Sequence, residues 1–293
     1  MKNRSALLLS PIKHLVAVGV LCGFASAANA LVPVDGWQID TGNTDGTLVP
    51  QLFTNIGHLN MSGGDAIVEQ EVNGAFVPFA GARFKEFGAI YSVTYTPENC
   101  VGLCDSGSPA LLMQGGSLLE LTIEFTGLTG TVSSYDAGTG EIEYMFDAGV
   151  GSVALYGDTG AGQEELATFS VINPSGGDLG DFNGIGGQSQ GQSTISALVI
   201  TSMSDVFRDA LGDSFDDEIA LGNLFALVVT TNQITQQFGN PAPCTFAGDA
   251  VCVSGSVQSV GTFDLLTVPV PAPLALLGLG LMVMGGMRRK SRA

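Results

Sequence analysis

Leu119-Glu120-Leu121-Thr122-Ile123-Glu124-Phe125 alternates apolar and polar residues at every step. Successive side chains of a β-strand point to opposite faces, so this stretch reads as a strand with one face in a core and one in water. A glycine-bounded break, Gly127-Leu128-Thr129-Gly130, separates it from Thr131 to Tyr135. A turn at Asp136-Ala137-Gly138-Thr139-Gly140 follows, and Glu141-Ile142-Glu143-Tyr144-Met145-Phe146 resumes the alternation. That arrangement predicts a hairpin. Working outward, Ser152 to Tyr156, Leu166 to Ile172, Thr194 to Thr201 and Leu224 to Thr230 continue the series. Arg83 to Tyr95 and Ser254 to Leu266 read as strands towards the two ends.

One segment departs from the pattern. Ser204-Asp205-Val206-Phe207-Arg208-Asp209-Ala210-Leu211 offers Ser204 as an N-cap, acids in the first turn, apolar residues at helical spacing and Gly212 as a stop. It predicts a short helix. Residues 174–193, rich in Gly, Ser and Gln, read as a long loop. The expectation is an all-β fold: a single β-sandwich or jelly-roll-like domain of about ten strands carrying one short helix. The size of the central region suits one such domain.

The two ends differ from the body. Residues 1–30 have the parts of a secretory signal peptide: basic Lys2, Arg4 and Lys13, an apolar run from Leu15 to Phe24, and a cleavage site at Ala28-Asn29-Ala30. Residues 268–293 begin with Val268-Pro269-Val270-Pro271-Ala272-Pro273. An uncharged stretch, Leu274 to Met287, follows, and Arg288-Arg289-Lys290-Ser291-Arg292-Ala293 closes the sequence. As a helix the uncharged stretch would reach roughly 21 Å, short against a hydrocarbon core of about 30 Å. The basic cluster would stay cytoplasmic, leaving the body outside. The organisation expected is therefore a signal peptide at 1–30, an exported β-rich domain at 31–267 and a C-terminal hydrophobic helix within 268–293.

Together the proline motif, the brief Leu/Gly-rich stretch and the terminal Arg cluster resemble the PEP-CTERM sorting signal, which exosortases read in Gram-negative bacteria that make exopolysaccharide. Val268, Pro269, Pro271, Ala272, Pro273, Arg288, Arg289 and Lys290 carry the likeness, and Ala272 stands where the family has its central Glu. The resemblance covers about the last 26 residues and concerns processing. It implies an exosortase-type enzyme as a partner. It also implies transient residence in the inner membrane, then the cell surface or extracellular matrix. The body, with Gly36-Trp37-Gln38-Ile39-Asp40 at its start and a Gly/Asp segment at 174–187, resembles the flocculation-associated group of that family.

Between the two signals lie all 28 acidic residues but only three of the ten basic ones (Arg83, Lys85 and Arg208), a net charge of −25. Such a charge argues against nucleic acid and anionic lipid as partners and favours divalent cations. Four cysteines remain after signal removal, in two close pairs, Cys100/Cys104 and Cys244/Cys252. An exported chain uses an even count as disulfides. Local pairing is the simplest of three connectivities, and a four-cysteine zinc site is the competitor.

Chemistry is sparse. His58 is the one histidine left in the body, and no nucleophile motif surrounds it. The 28 acids guarantee some carboxylate pair by chance, so a glycosidase arrangement has no specific support. The expectation is a protein that is not an enzyme. Calcium is the one candidate cofactor. Asp40 to Gly46, the acid-dense run Asp209 to Glu218, and above all Asp178, Asp181 and Asn183 in Asp178-Leu179-Gly180-Asp181-Phe182-Asn183-Gly184 offer clustered oxygens. Asx-Gly sequences are also ordinary turn formers, and both readings stand.

The first functional reading is a cell-surface or matrix protein that meets exopolysaccharide, in flocculation or biofilm, with cations bridging its carboxylates to acidic polymer. The alternative is a carbohydrate-binding module using Trp37, Tyr91, Tyr95 or Tyr135 as stacking platforms, although such rings also simply pack in cores. A glycoside hydrolase is third.

Overall fold

The computed structural model describes residues 32–267, apart from residues 35, 45, 47, 93, 99–109, 115, 161, 181–187 and 217–224. The signal peptide with its Ala28 and Ala30 cleavage site, and the whole sorting signal, lie outside the described residues.

Alternation of apolar and polar residues is realised almost throughout, as antiparallel strands. In chain order they are β1 (Val32–Pro33), β2 (Trp37–Asp40), β3 (Leu52–Ser62), β4 (Gly64–Val72), β5 (Arg83–Ser92) and β6 (Thr94–Pro97). Then come β7 (Ala110–Leu111), β8 (Met113–Gln114), β9 (Ser117–Leu118), β10 (Glu120–Asp136), β11 (Glu141–Phe146) and β12 (Ser152–Asp158). The last five are β13 (Gln163–Gly180), β14 (Gln188–Ser202), β15 (Phe207–Arg208), β16 (Phe225–Pro243) and β17 (Val251–Thr267). The fold is all-β, as expected. One feature is finer than the sequence predicted: the strands β17, β16, β14, β13, β11, β10, β5 and β4 pair in succession, and β4 pairs back onto β17. The sheet thus closes on itself around the core, which removes two edges that would otherwise need protection.

Two long strands organise the ring. The first part of β10, Glu120 to Thr126, pairs with β12, and its last part, Gly130 to Asp136, pairs with β11. The other long strand, β13, meets the same two strands in the same order, so β12 and β11 fill successive stretches between β10 and β13. Likewise β17 gives its first half, Val251 to Val257, to β4 and a later stretch, Val260 to Phe263, to β3. Beyond β3 the sheet continues through β2 to β15.

Inward positions form one hydrophobic cluster. At the β2–β3 end Trp37 is fully buried, with ring centroids 6.4 Å from Phe207 and 6.2 Å from Phe263. Burying side chains of this size contributes about 1.5–3 kcal/mol each. Outward positions of β10 and β11 carry Glu120, Asp136, Glu141 and Glu143, all exposed. Apolar-in and charged-out is the reverse of the pattern in barrels that face lipid. Among the described residues, no helix is long and apolar enough to cross a membrane.

Three expectations are corrected. The helix expected over Ser204 to Leu211 is absent: Ser204 to Val206 form a turn, Asp205 has φ 61°, and Phe207–Arg208 is β15, paired with β2. Acids in and beyond the segment hold turns instead. Asp209 Oδ1 accepts from the N–H groups of Leu211 and Asp213, at 2.8 and 2.9 Å. Asp216 accepts from Ser202 Oγ at 2.7 Å and from the Asp205 N–H at 2.8 Å. Burial of Val206 and Phe207 in the common core outweighs a weak local helix preference. Among the described residues helix is confined to a 3-10 turn, Thr41–Asn43, and to Phe215 and Asp216.

The second correction is the Gly/Ser/Gln segment. Instead of a loop over 174–193, β13 runs on to Gly180 and β14 starts at Gln188, paired from Gly176↔Thr194 to Gly180↔Gln190. Third, the break at 127–130 is no break: β10 passes through it, with a register shift against β5 between Phe125 and Leu128.

Cys244 and Cys252 form a disulfide with Cα atoms 4.9 Å apart, the local pairing expected. It clamps the β16–β17 hairpin, where Ala242 already faces Cys252. In the chain-entropy view a loop this short contributes about 2–3 kcal/mol. Cys100 and Cys104 lie outside the described residues.

Candidate functional site

The chemistry concentrates inside the closed ring. On β5 the alternation turns Phe84, Glu86 and Ile90 inward, where they line a cavity of about 50 Å³. All eight ring strands contribute to its wall: Val68 and Gln70 from β4, Phe125 from β10, Ile142 and Tyr144 from β11, Leu179 from β13, Ser193 from β14, Val229 and Phe238 from β16, and Val257 from β17. The lumen is thus apolar with four polar side chains: Gln70, Glu86, Tyr144 and Ser193.

Each polar group has a distinct setting. Gln70 donates its amide to the carbonyls of Glu71 at 2.9 Å and Arg83 at 3.3 Å. Tyr144 packs edge-on against Phe84, with centroids 5.4 Å apart, and against Phe146 at 5.8 Å. Its strand neighbour across β13 is Gly177, and a Cβ there would stand 2.7 Å from the Tyr144 hydroxyl, so glycine makes room for the phenol. Burial, with the nearby Glu86 charge second, pushes the phenol's pKa well above its ordinary value, while a hydrogen bond from Ser193 acts the other way. Burial alone raises Glu86 from the ordinary 4.5 to about 7. The interior therefore holds a carboxyl poised to ionise near neutral pH and a phenol that stays protonated.

The outer face is acidic and organised by register. Three carboxylate pairs stand directly opposite one another: Glu120 with Asp158, Asp136 with Glu141, and Glu143 with Asp178. Opposed like charges destabilise a sheet, and screening cations relieve them. On the same face the Tyr156 hydroxyl donates to Glu165 Oε2 at 3.3 Å. Its pKa is raised, first by burial and then by the charges of Glu165 and Glu124.

The candidates named from sequence are dispersed. Asp178 is a strand residue that accepts from Gln192 Nε2 at 3.0 Å, while Asp181 and Asn183 lie outside the described residues. Asp40 caps the turn after β2: it accepts from the Gly42 N–H at 3.0 Å and Asn43 Nδ2 at 3.1 Å, with Arg208 Nε at 3.6 Å. Among the described residues no group of three or more His, Cys, Asp or Glu is placed to hold a metal ion. His58 is half-buried on β3, and its charge opposes the burial that raises Asp264. Of the aromatic platforms, Trp37 is inside the core and donates to the Gly57 carbonyl at 3.3 Å, whereas Tyr91 is exposed and Tyr95 and Tyr135 pack against the core.

Sequence reasoning missed Glu86, Gln70 and Ser193. In Phe84-Lys85-Glu86-Phe87 an apolar residue lies on each face of the strand, so alternation alone does not show which one turns inward. No protein-family model, curated protein or solved structure matches the chain.

Proposed function

We propose that this chain is an exported cell-surface or matrix protein, structural and adhesive rather than catalytic, that contributes to flocculation or biofilm together with exopolysaccharide. Export and exosortase-type sorting rest on the sequence of the two ends. The observation that carries the role of the body is the set of opposed carboxylate pairs on one outward sheet face. A stable fold that keeps such pairs opposed presents a surface that gains by gathering divalent cations, and those cations can be shared with an acidic polymer. The binding is diffuse and spread over the sheet.

The test is deletion of the gene, followed by complementation. Settling of cells in calcium-containing medium should fall on deletion and return with the wild-type gene. A form with Glu120, Glu141 and Glu143 all changed to Gln, present at the surface in equal amount, should restore it only in part. Unchanged settling after deletion would overturn the proposal. Intact mass of the surface protein should show loss of residues 1–30 and cleavage near Pro273.

A second reading, a carbohydrate-binding module, is favoured by one residue. Tyr156 lies on the outward face beside Glu165, an aromatic ring flanked by acceptors for sugar hydroxyls. Saturable binding of one purified glycan, abolished by Tyr156→Ala, would select this reading over diffuse adhesion.

A further inference from the structure

We infer that the lumen of the closed ring is a binding site for a small organic cation, a short alkylammonium whose nitrogen meets the Glu86 carboxylate while its carbons lie against the apolar wall. The lumen is built for one charged contact. Among the described residues no side-chain hydrogen bond or ion pair reaches the Glu86 carboxyl, which is half-buried in the apolar wall of the lumen. Among the described residues lining the lumen beside Glu86 are Val68 and Gln70 from β4, Tyr144 from β11 and Ser193 from β14, and of that lining Tyr144 is the one other titratable group. The described basic side chains are all engaged elsewhere. Arg83, three residues before Glu86, lies over the Phe246 ring at 5.6 Å, and Lys85, its immediate neighbour on the other face of β5, lies over Phe87 at 6.0 Å. Arg208 sits with Asp40 and Asp205, and His58 near Asp264.

A buried carboxylate without a counter-ion either takes a proton or takes a cation from outside. The aromatic lining suits the second course, because the faces of Phe and Tyr rings attract ammonium groups. Size narrows the class. A volume of about 50 Å³ accommodates roughly four water-sized groups, at about 10–15 Å³ for each. That admits an amine of three or four carbons and excludes a sugar. The acidic exterior raises the local concentration of any cation.

The experiment uses the mature protein and n-propylammonium chloride, followed by saturation-transfer NMR and by thermal unfolding. Sodium chloride at equal ionic strength and 1-propanol serve as comparisons. At pH 8 the ammonium should bind saturably, and 1-propanol should bind at least tenfold more weakly. At pH 5, where Glu86 holds its proton, the affinity for the ammonium should fall about tenfold or more. Glu86→Gln should abolish the difference between amine and alcohol. Equal binding of amine and alcohol, an effect matched by sodium chloride, or unchanged binding in Glu86→Gln would each overturn the proposal and leave the lumen as a compartment for water. Should Glu86→Gln fail to fold, the pH dependence in the wild-type protein decides alone.

Discussion

Glu143 on β11 stands directly opposite Asp178 on β13, two carboxylates at one register position on the outer face of the sheet. Neither has a basic neighbour in that pairing: Glu143 accepts from Ser134 Oγ at 2.9 Å, and Asp178 from Gln192 Nε2 at 3.0 Å. Opposed like charges cost about 0.2–1 kcal/mol. Glu143→Gln keeps the acceptor for Ser134 and removes the repulsion, so it should raise stability by about that amount in dilute buffer. The gain should shrink as sodium chloride rises past about 0.1 M, where exposed charges are screened beyond about 10 Å. Urea unfolding at two salt concentrations measures both, and a gain independent of salt would refute the electrostatic origin.

Glu86, inside the ring, sets a pH response. Its folded pKa is about 7 against an ordinary 4.5, so the folded state binds the proton more tightly than the unfolded chain. Stability from this group is therefore highest at low pH, and it falls as pH rises through the window from 4.5 to 7. The full loss is about 3 kcal/mol. Glu86→Gln should match the wild type near pH 4 and exceed its stability by up to that amount at pH 8. Denaturant midpoints of the two proteins across this range provide the check, because the other carboxylates cancel in the difference. A constant difference at every pH would refute it.

Gly130 lies where β10 meets both β5 and β11, and a Cβ placed on it would overlap the Phe84 ring and the Met145 carbonyl. Neither the ring, packed at 5.3 Å from Phe146, nor a strand carbonyl can move freely. Gly130→Ala should cost about 1–3 kcal/mol by overpacking. Gly74, with nothing within 4 Å of its missing Cβ, is the control, and Gly74→Ala should stay within about 0.5 kcal/mol of the wild type. Equal effects at the two sites would mean that glycine's flexibility, and not close approach, is what matters.

These positions also explain what could be read from the sequence. The hairpin of β10 and β11 was legible because the turn at Asp136 to Gly140 stands between Thr131 to Tyr135 and the unbroken alternation of Glu141 to Phe146. The strands at Gly176, Gly177 and Gly191 were not, since a glycine chosen to let a neighbouring strand approach carries no face preference and looks like a loop. Val206 and Phe207 have helical spacing from Ala210, yet a partner strand distant in sequence, β2, claims them. Ring closure was beyond reach for the same reason, because it rests on β4 meeting β17 across most of the chain. The inward side of Glu86 follows only once that ring is known.

Trp37, the chain's single tryptophan, reports on the choice between adhesion by charge and recognition of a defined sugar. Its indole is fully buried between Phe207 and Phe263, with its N–H on the Gly57 carbonyl. A buried indole emits at shorter wavelength than a hydrated one and is shielded from aqueous quenchers. Native protein should therefore show blue-shifted emission, weakly quenched by iodide and moving to the red only on unfolding. Adding exopolysaccharide with calcium should leave the emission unchanged. Trp37→Ala should cost about 3–5 kcal/mol, with any loss of adhesion following the loss of fold. Tyr91→Ala, at an exposed ring, should change stability by less than about 0.5 kcal/mol. A polysaccharide-dependent shift in Trp37 emission while the protein stays folded would place a sugar against this ring, and the carbohydrate-binding reading would displace the adhesive one.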